Sequence, residues 1–233
     1  MSRDYYNIGA TMWTFTKIEL EARKLLSDIE KNAAQLWPNT PPSRLFMCDP
    51  EIACQLLGLR YLPDSHLGSF GGTATAGMLD RKNRAVLLSH KQSFESLRFT
   101  AAHEVGHWTM HAEQHMFRDR ALSAPGGPGR PLIEQEADYF AACFLVPPKL
   151  LRQAFQTRFP IRQPVTNTGA ICFNLAVRNG QYLESLPAGS LEFAIAIARA
   201  EFFNGFSFKS LTSLFNVSPS TMGIRLLELG LVH

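Results

Sequence analysis

The chain has 233 residues, 45% of them hydrophobic, with 23 Lys and Arg against 20 Asp and Glu, a formal net charge of +3. That length supports one sizeable core, or a main domain with a small appendage. So weak a positive charge argues against nucleic acid as the main partner, and no run nears the roughly 18 apolar residues of a membrane span. The start, MSRDYYNIGATMW, has no basic n-region, apolar core or cleavage site, which points to a soluble, cytoplasmic protein. Cys48, Cys54, Cys143 and Cys172 form no C-x-x-C pair, which fits reduced, buried thiols and disfavours a thiolate zinc site.

In chain order, apolar spacing predicts a helix over Thr16 to Leu36, with Ile18, Leu25, Ile29 and Ala33 on one side, ended by WPNTPPS. DPEIACQLLGL carries a cap at Asp49, a first-turn proline at Pro50 and a stop at Gly58, so it predicts a short helix. A strand should follow near Leu59 to Leu62. GGTATAGMLDRKNRAVLLSH then predicts a hairpin that turns at Asp80 to Asn83, with Ala85 to His90 as its second strand. Ser93 can cap a helix running to about Met116, with Leu97, Ala101, Val105 and Trp108 on a core stripe and Thr100, His103, His107 and His111 on another. SAPGGPGRP, residues 123 to 131, predicts a loop, and LIEQEADYFAACFLV a second apolar helix ended by Pro147 and Pro148. Residues 153 to 187 are less patterned, and a helical third follows from about Ala188. The expected fold is α+β, a small N-terminal sheet with active-site helices and then a helical segment, divided as 1–48, 49–187 and 188–233.

The chemistry lies in RFTAAHEVGHWTMH. Residues four apart on a helix share a face, so His103 and His107 can converge on one ion. Glu104 sits about 100° from His103, beside the ion, where it can take a proton from a metal-bound water. Zn²⁺ suits such nitrogens and wants a third protein ligand; Mn²⁺ accepts the same donors. Position 113 is Glu, which rules out the third histidine of the longer zinc motif. His111 lies two full turns past His103, too far to join both histidines on one ion. EQEAD offers Glu134, Glu136 and Asp138. Glu134 and Asp138 share a face, so one can bind metal while the other receives a ligand histidine's distal N–H; Glu134 is favoured as the ligand, with Asp138 behind it and Glu136, expected to face solvent, as the alternative.

RFTAAHEVGHWTMH followed by EQEADYFAACFLVPP resembles the ImmA/IrrE metallopeptidase family, whose pattern is an RFT-like lead into His-Glu-x-x-His and then E-x-x-A-[ND]. The likeness extends from about residue 49 to the end, except for 153 to 187, and departs from the family at Ala101-Ala102 and at Asp138, where Asn is common. It implies a zincin-like core of gluzincin type and a cytoplasmic zinc-dependent endopeptidase. Such enzymes often cut a Cro/repressor-type helix-turn-helix regulator and so relieve repression in stress response or mobile-element control. His103, His107 and Glu134 would then hold the metal and Glu104 would be the catalytic base. The strand Ala85 to His90 would pair with extended substrate, and His111, Tyr139 or His90 would donate to the oxyanion.

SLTSLFNVSPSTMGIRLLELGLV has the outline of a helix-turn-helix. Residues 190 to 233 balance Arg199, Lys209 and Arg225 against Glu192, Glu201 and Glu228, so packing or partner docking is favoured over base reading. A catalytically silent metal-binding regulator, acting through protein or DNA contacts, is the competing function.

Overall fold

The computed structural model describes residues 13–70, 73–112, 116–120, 131–175 and 180–233. The glycine- and proline-rich loop expected at 123 to 131 lies outside them except for Pro131. Thr14 accepts the Lys17 N–H and opens α1 (Phe15–Lys31), which buries Ile18, Ala22, Leu25 and Ile29. The expected first helix breaks at Asn32, whose amide bonds the Asp28 carbonyl, and α2 (Ala33–Leu36) and α3 (Arg44–Met47) are single turns. In α4 (Pro50–Leu57) the Asp49 carboxylate accepts the Glu51 N–H, and Gly58 closes the helix at φ 66°, a conformation that costs glycine least.

The sheet comprises β1 (Arg60–Ser65), β2 (Ser69–Phe70), β3 (Thr73–Asp80), β4 (Ala85–Ser89) and β5 (Met116–Arg120). Asp80 holds the β3–β4 turn by accepting the Asn83 N–H at 2.9 Å and its side-chain amide at 2.7 Å. The strand order is β1-β4-β3-β2, with β5 also on β3; β1 runs parallel to β4 and the other pairs are antiparallel. Two expectations change. The sheet is not wholly N-terminal, because β5 returns to it after the histidine helix. β4 is an interior strand whose backbone is shared between β1 and β3, so the segment Ala85 to His90 has no edge to offer a substrate.

Ser93 accepts the Ser96 N–H and opens α5 (Phe94–Met110), in which every residue from Arg98 to His107 is buried. The helix is covered by β3 and β4 on one side and by α4 and α6 (Leu132–Leu145) on others. Its expected core stripe is only partly right, since Leu97 and Trp108 are half-buried while Phe99, Ala102 and Met110 are buried. It also ends six residues early. From the β3–β4 turn, Arg81 donates to the His107 and His111 carbonyls, satisfying helix-end acceptors. The guanidinium groups of Arg81 and Arg84 lie 5.1 and 5.2 Å from the Trp108 ring.

α6 approaches α5 closely because Gly106 faces Phe140: a Cβ at Gly106 would lie 3.0 to 3.2 Å from that ring. There follow α7 (Pro148–Arg158), α8 (Gly169–Leu175), α9 (Gly180–Ser185) and α10 (Leu191–Arg199), then the hairpin β6 (Phe202–Phe203) and β7 (Phe206–Ser207). Asn216, at φ 52°, turns α11 (Leu211–Phe215) into α12 (Pro219–Glu228). α12 packs on α10, and Val165 bridges to Val232. The fully buried Arg225 bonds Glu228, the Val146 carbonyl and the Cys143 sulfur, its guanidinium 5.5 Å from the Tyr139 ring. One hydrophobic cluster extends from Ile18 to Val232, and all four cysteines are free and buried. Among the described residues no helix is long and apolar enough to cross a membrane.

Candidate metal centre

The four-residue spacing on α5 places the Nε2 atoms of His103 and His107 2.9 Å apart. Across the Gly106–Phe140 contact, the first turn of α6 brings Glu134 to the same point, with its two oxygens 3.3 Å from His103 Nε2 and 3.4 Å from His107 Nε2. Four donors set tetrahedrally at 2.0 to 2.1 Å from a zinc ion stand about 3.3 Å from one another. The separations of 2.9, 3.3 and 3.4 Å, the last two to different Glu134 oxygens, are close to that spacing, and these three residues form a group able to hold a metal.

Each imidazole is held from behind. His103 Nδ1 lies 2.9 Å from Asp138 Oδ1. His107 Nδ1 lies 2.9 Å from His111 Nδ1, and His111 Nε2 lies 2.9 Å from Glu136 Oε2. The second Glu136 oxygen accepts the backbone N–H of Trp13 at 2.9 Å. Glu136 thus faces inward, with only 12% of its side chain exposed, contrary to the expectation that it faces solvent. The reason is the early end of α5: His111 leaves the helix at φ −116°, ψ 55°, and its ring crosses to α6.

Burial, with the neighbouring His103 and His111, pushes His107 down to about 3 against the opposing pull of Glu134. His107 is therefore neutral at ordinary pH, the form that can ligate. Burial alone would raise the Glu134 carboxyl, but hydrogen bonds and attraction from the two imidazoles outweigh it and hold the group below the usual carboxylate range. Two imidazole nitrogens beside a carboxylate are a donor set for a divalent cation.

Glu104 is fully buried on the sheet side of α5, packed against the backbone of β3. A Cβ at Gly77 would lie 3.0 Å from Glu104 Oε1. Tyr139 and His90 are not brought to the cluster. The Tyr139 ring packs on Phe15 at 4.6 Å and beneath Arg225, and burial pushes its phenol up to about 12. His90 is exposed at the end of β4, 4.7 Å from the His66 ring. Sequence reasoning missed Gly77, Gly106, Arg81 and the inward Glu136. The two glycines carried a readable signal, one inside a strand pattern and one between the paired histidines, where a small residue marks a close approach.

No curated protein matches the chain. With two helical histidines, a carboxylate from the next helix and a buried glutamate beside them now in place, the family comparison agrees: a model of the Peptidase M78 family, described as the IrrE N-terminal-like domain, matches residues 65–181, half of the chain, which belongs to that family.

Proposed function

We propose that this protein is a metal-dependent endopeptidase, with His103, His107 and Glu134 as metal ligands and Glu104 as the catalytic base. The observation that carries the reading is the convergence of two imidazole nitrogens from the buried helix α5 and a carboxylate from α6 on one point, with a glutamate one position after the first histidine. A bound ion would polarise the scissile carbonyl and lower the pKa of a water. Glu104 takes the proton from that water onto its carboxylate and hands it to the leaving amine. Asp138 orients His103, and His111 orients His107. Zinc suits two imidazoles and a carboxylate at this spacing, and manganese is the second choice.

The substrate is a protein segment in extended form. Among the described residues β5 pairs only with β3, so its outer edge replaces the interior β4 as the place where a substrate strand adds to the sheet. A Cro/repressor-type regulator, cut in the cytoplasm to relieve repression, is the substrate class that the resemblance implies. The C-terminal helices pack rather than read bases, since burial of Arg225 leaves Arg199 and Lys209 as the cations of that segment outside the core.

The test is metal content of wild type, Glu104→Gln and Glu134→Gln, each then incubated with a small repressor encoded beside the gene. The expected result is one ion per chain in wild type and Glu104→Gln, less in Glu134→Gln, and cleavage by wild type alone. Absence of metal after metal-supplemented purification sinks the proposal. Metal bound without cleavage by wild type turns the reading to a metal-stabilised regulator.

A further inference from the structure

We infer that Glu136 is a positioning residue for the metal centre: acting through His111, it holds His107 in the one tautomer that leaves Nε2 open to the ion. The inference rests on the reading of His107 as a ligand. Ligation through Nε2 requires the His107 proton on Nδ1. That N–H faces His111 Nδ1 at 2.9 Å, so His111 Nδ1 must accept. A neutral imidazole that accepts at Nδ1 carries its proton on Nε2, and His111 Nε2 lies 2.9 Å from Glu136 Oε2. Glu136 Oε2 accepts that proton, as its other oxygen accepts the Trp13 N–H, so one direction for every bond satisfies each partner along the chain.

The remaining Glu136 oxygen is held by the Trp13 N–H, at the head of α1, which fixes the rotation of the carboxylate. His103 has the shorter form of the same arrangement, with its Nδ1 directly on Asp138. Both ligand histidines therefore end on a carboxylate, one directly and one through a second imidazole. Without Glu136, His111 can place its proton on Nδ1, where two N–H groups would face each other at hydrogen-bond distance. The His111 ring then turns away, and His107 loses the partner that sets its orientation.

The experiment compares wild type, Glu136→Gln, Glu136→Ala, His111→Ala and the His111→Ala/Glu136→Ala pair as full chains. Zinc affinity is measured by chelator competition, the visible spectrum is recorded after Co²⁺ loading, and the metal-free melting temperature serves as the fold control. Glu136→Ala and His111→Ala each lose about 10- to 100-fold in zinc affinity and shift the cobalt bands. Glu136→Gln, which keeps an acceptor but no charge, falls between wild type and Glu136→Ala, and it carries the comparison if Glu136→Ala does not fold. Because Glu136 acts through His111, the double variant binds no more weakly than His111→Ala. Unchanged affinity and cobalt bands in Glu136→Ala, or additive losses in the double variant, overturn the inference while wild type still binds metal. A wild type that takes no metal overturns the ligand reading itself and this inference with it.

Discussion

Gly77→Ala is a small substitution that tests how β3 seats Glu104, the proposed catalytic base. A Cβ at Gly77 falls 2.4 Å from Thr100 Cγ2 and 3.0 Å from Glu104 Oε1, whereas carbon atoms rest about 3.5 to 4.0 Å apart. Strand and helix must therefore part by about 1 Å or more. Neither yields easily, since Gly77 is paired with Leu88 and Asp119 on its two sides and the Thr100 hydroxyl bonds Gln92 at 2.9 Å. Overpacking of this kind costs about 1 to 3 kcal/mol, or about 2 to 12 °C in melting temperature for a chain of this size. Thr100→Ser removes Cγ2 and keeps the hydroxyl, so the pair Gly77→Ala/Thr100→Ser relieves the first contact and leaves the second. Calorimetry and a cleavage assay should separate the two: the single variant loses stability and activity, while the pair recovers most of the stability and not the activity. A Gly77→Ala protein that melts and cuts like wild type, or a pair that recovers both properties, refutes the reasoning.

Two further outcomes are expected. Gly106→Ala pushes Phe140 and α6 away from α5, since its Cβ would lie 3.0 to 3.2 Å from that ring; zinc affinity and melting temperature should both fall, and Phe140→Leu in the same chain should restore part of each. Metal-free protein should weaken in acid: His107 is held at about 3 when folded against 6.5 in the free group, so between these values the unfolded chain binds the extra proton. This contribution is fully present above about pH 6.5 and is lost as pH falls toward 3. Glu134, held below its ordinary 4.5, adds a loss of the same sign below that value. Urea midpoints should drop from pH 7 to pH 5, with a smaller slope in His107→Ala; equal slopes in the two proteins would contradict the assignment.

Local chemistry made much of this legible. Asp49, Pro50 and Gly58 bracket α4 as their capping preferences require, Ser93 opens α5, and the four-residue spacing of His103 and His107 needs nothing but helix geometry. Glu134 followed from sharing a face with Asp138. What escaped depends on groups far apart in sequence. The end of α5 is set by Arg81, 26 residues before the carbonyl of His107, and β5 exists because it pairs with β3. The interior position of β4 depends on a parallel partner, β1, that no hairpin pattern announces. The direction of Glu136 around its own helix points to solvent, whereas its partner His111 comes from the C-cap of another helix.

α6 is built on two faces with very different histories. Glu134 and Asp138 on one face meet α5, which precedes them in the chain, while Cys143 and Val146 at its far end wait for Arg225, 82 and 79 residues later. At about 5 to 20 residues per second, a ribosome needs about 4 to 16 s to make that intervening stretch. During synthesis the histidine helix and its carboxylate partner are therefore present well before the guanidinium that secures the other end of α6. A nascent chain stalled in that interval holds every residue of the proposed metal centre while α6 still lacks one of its walls, so the proposed activity should mature only when α12 has docked.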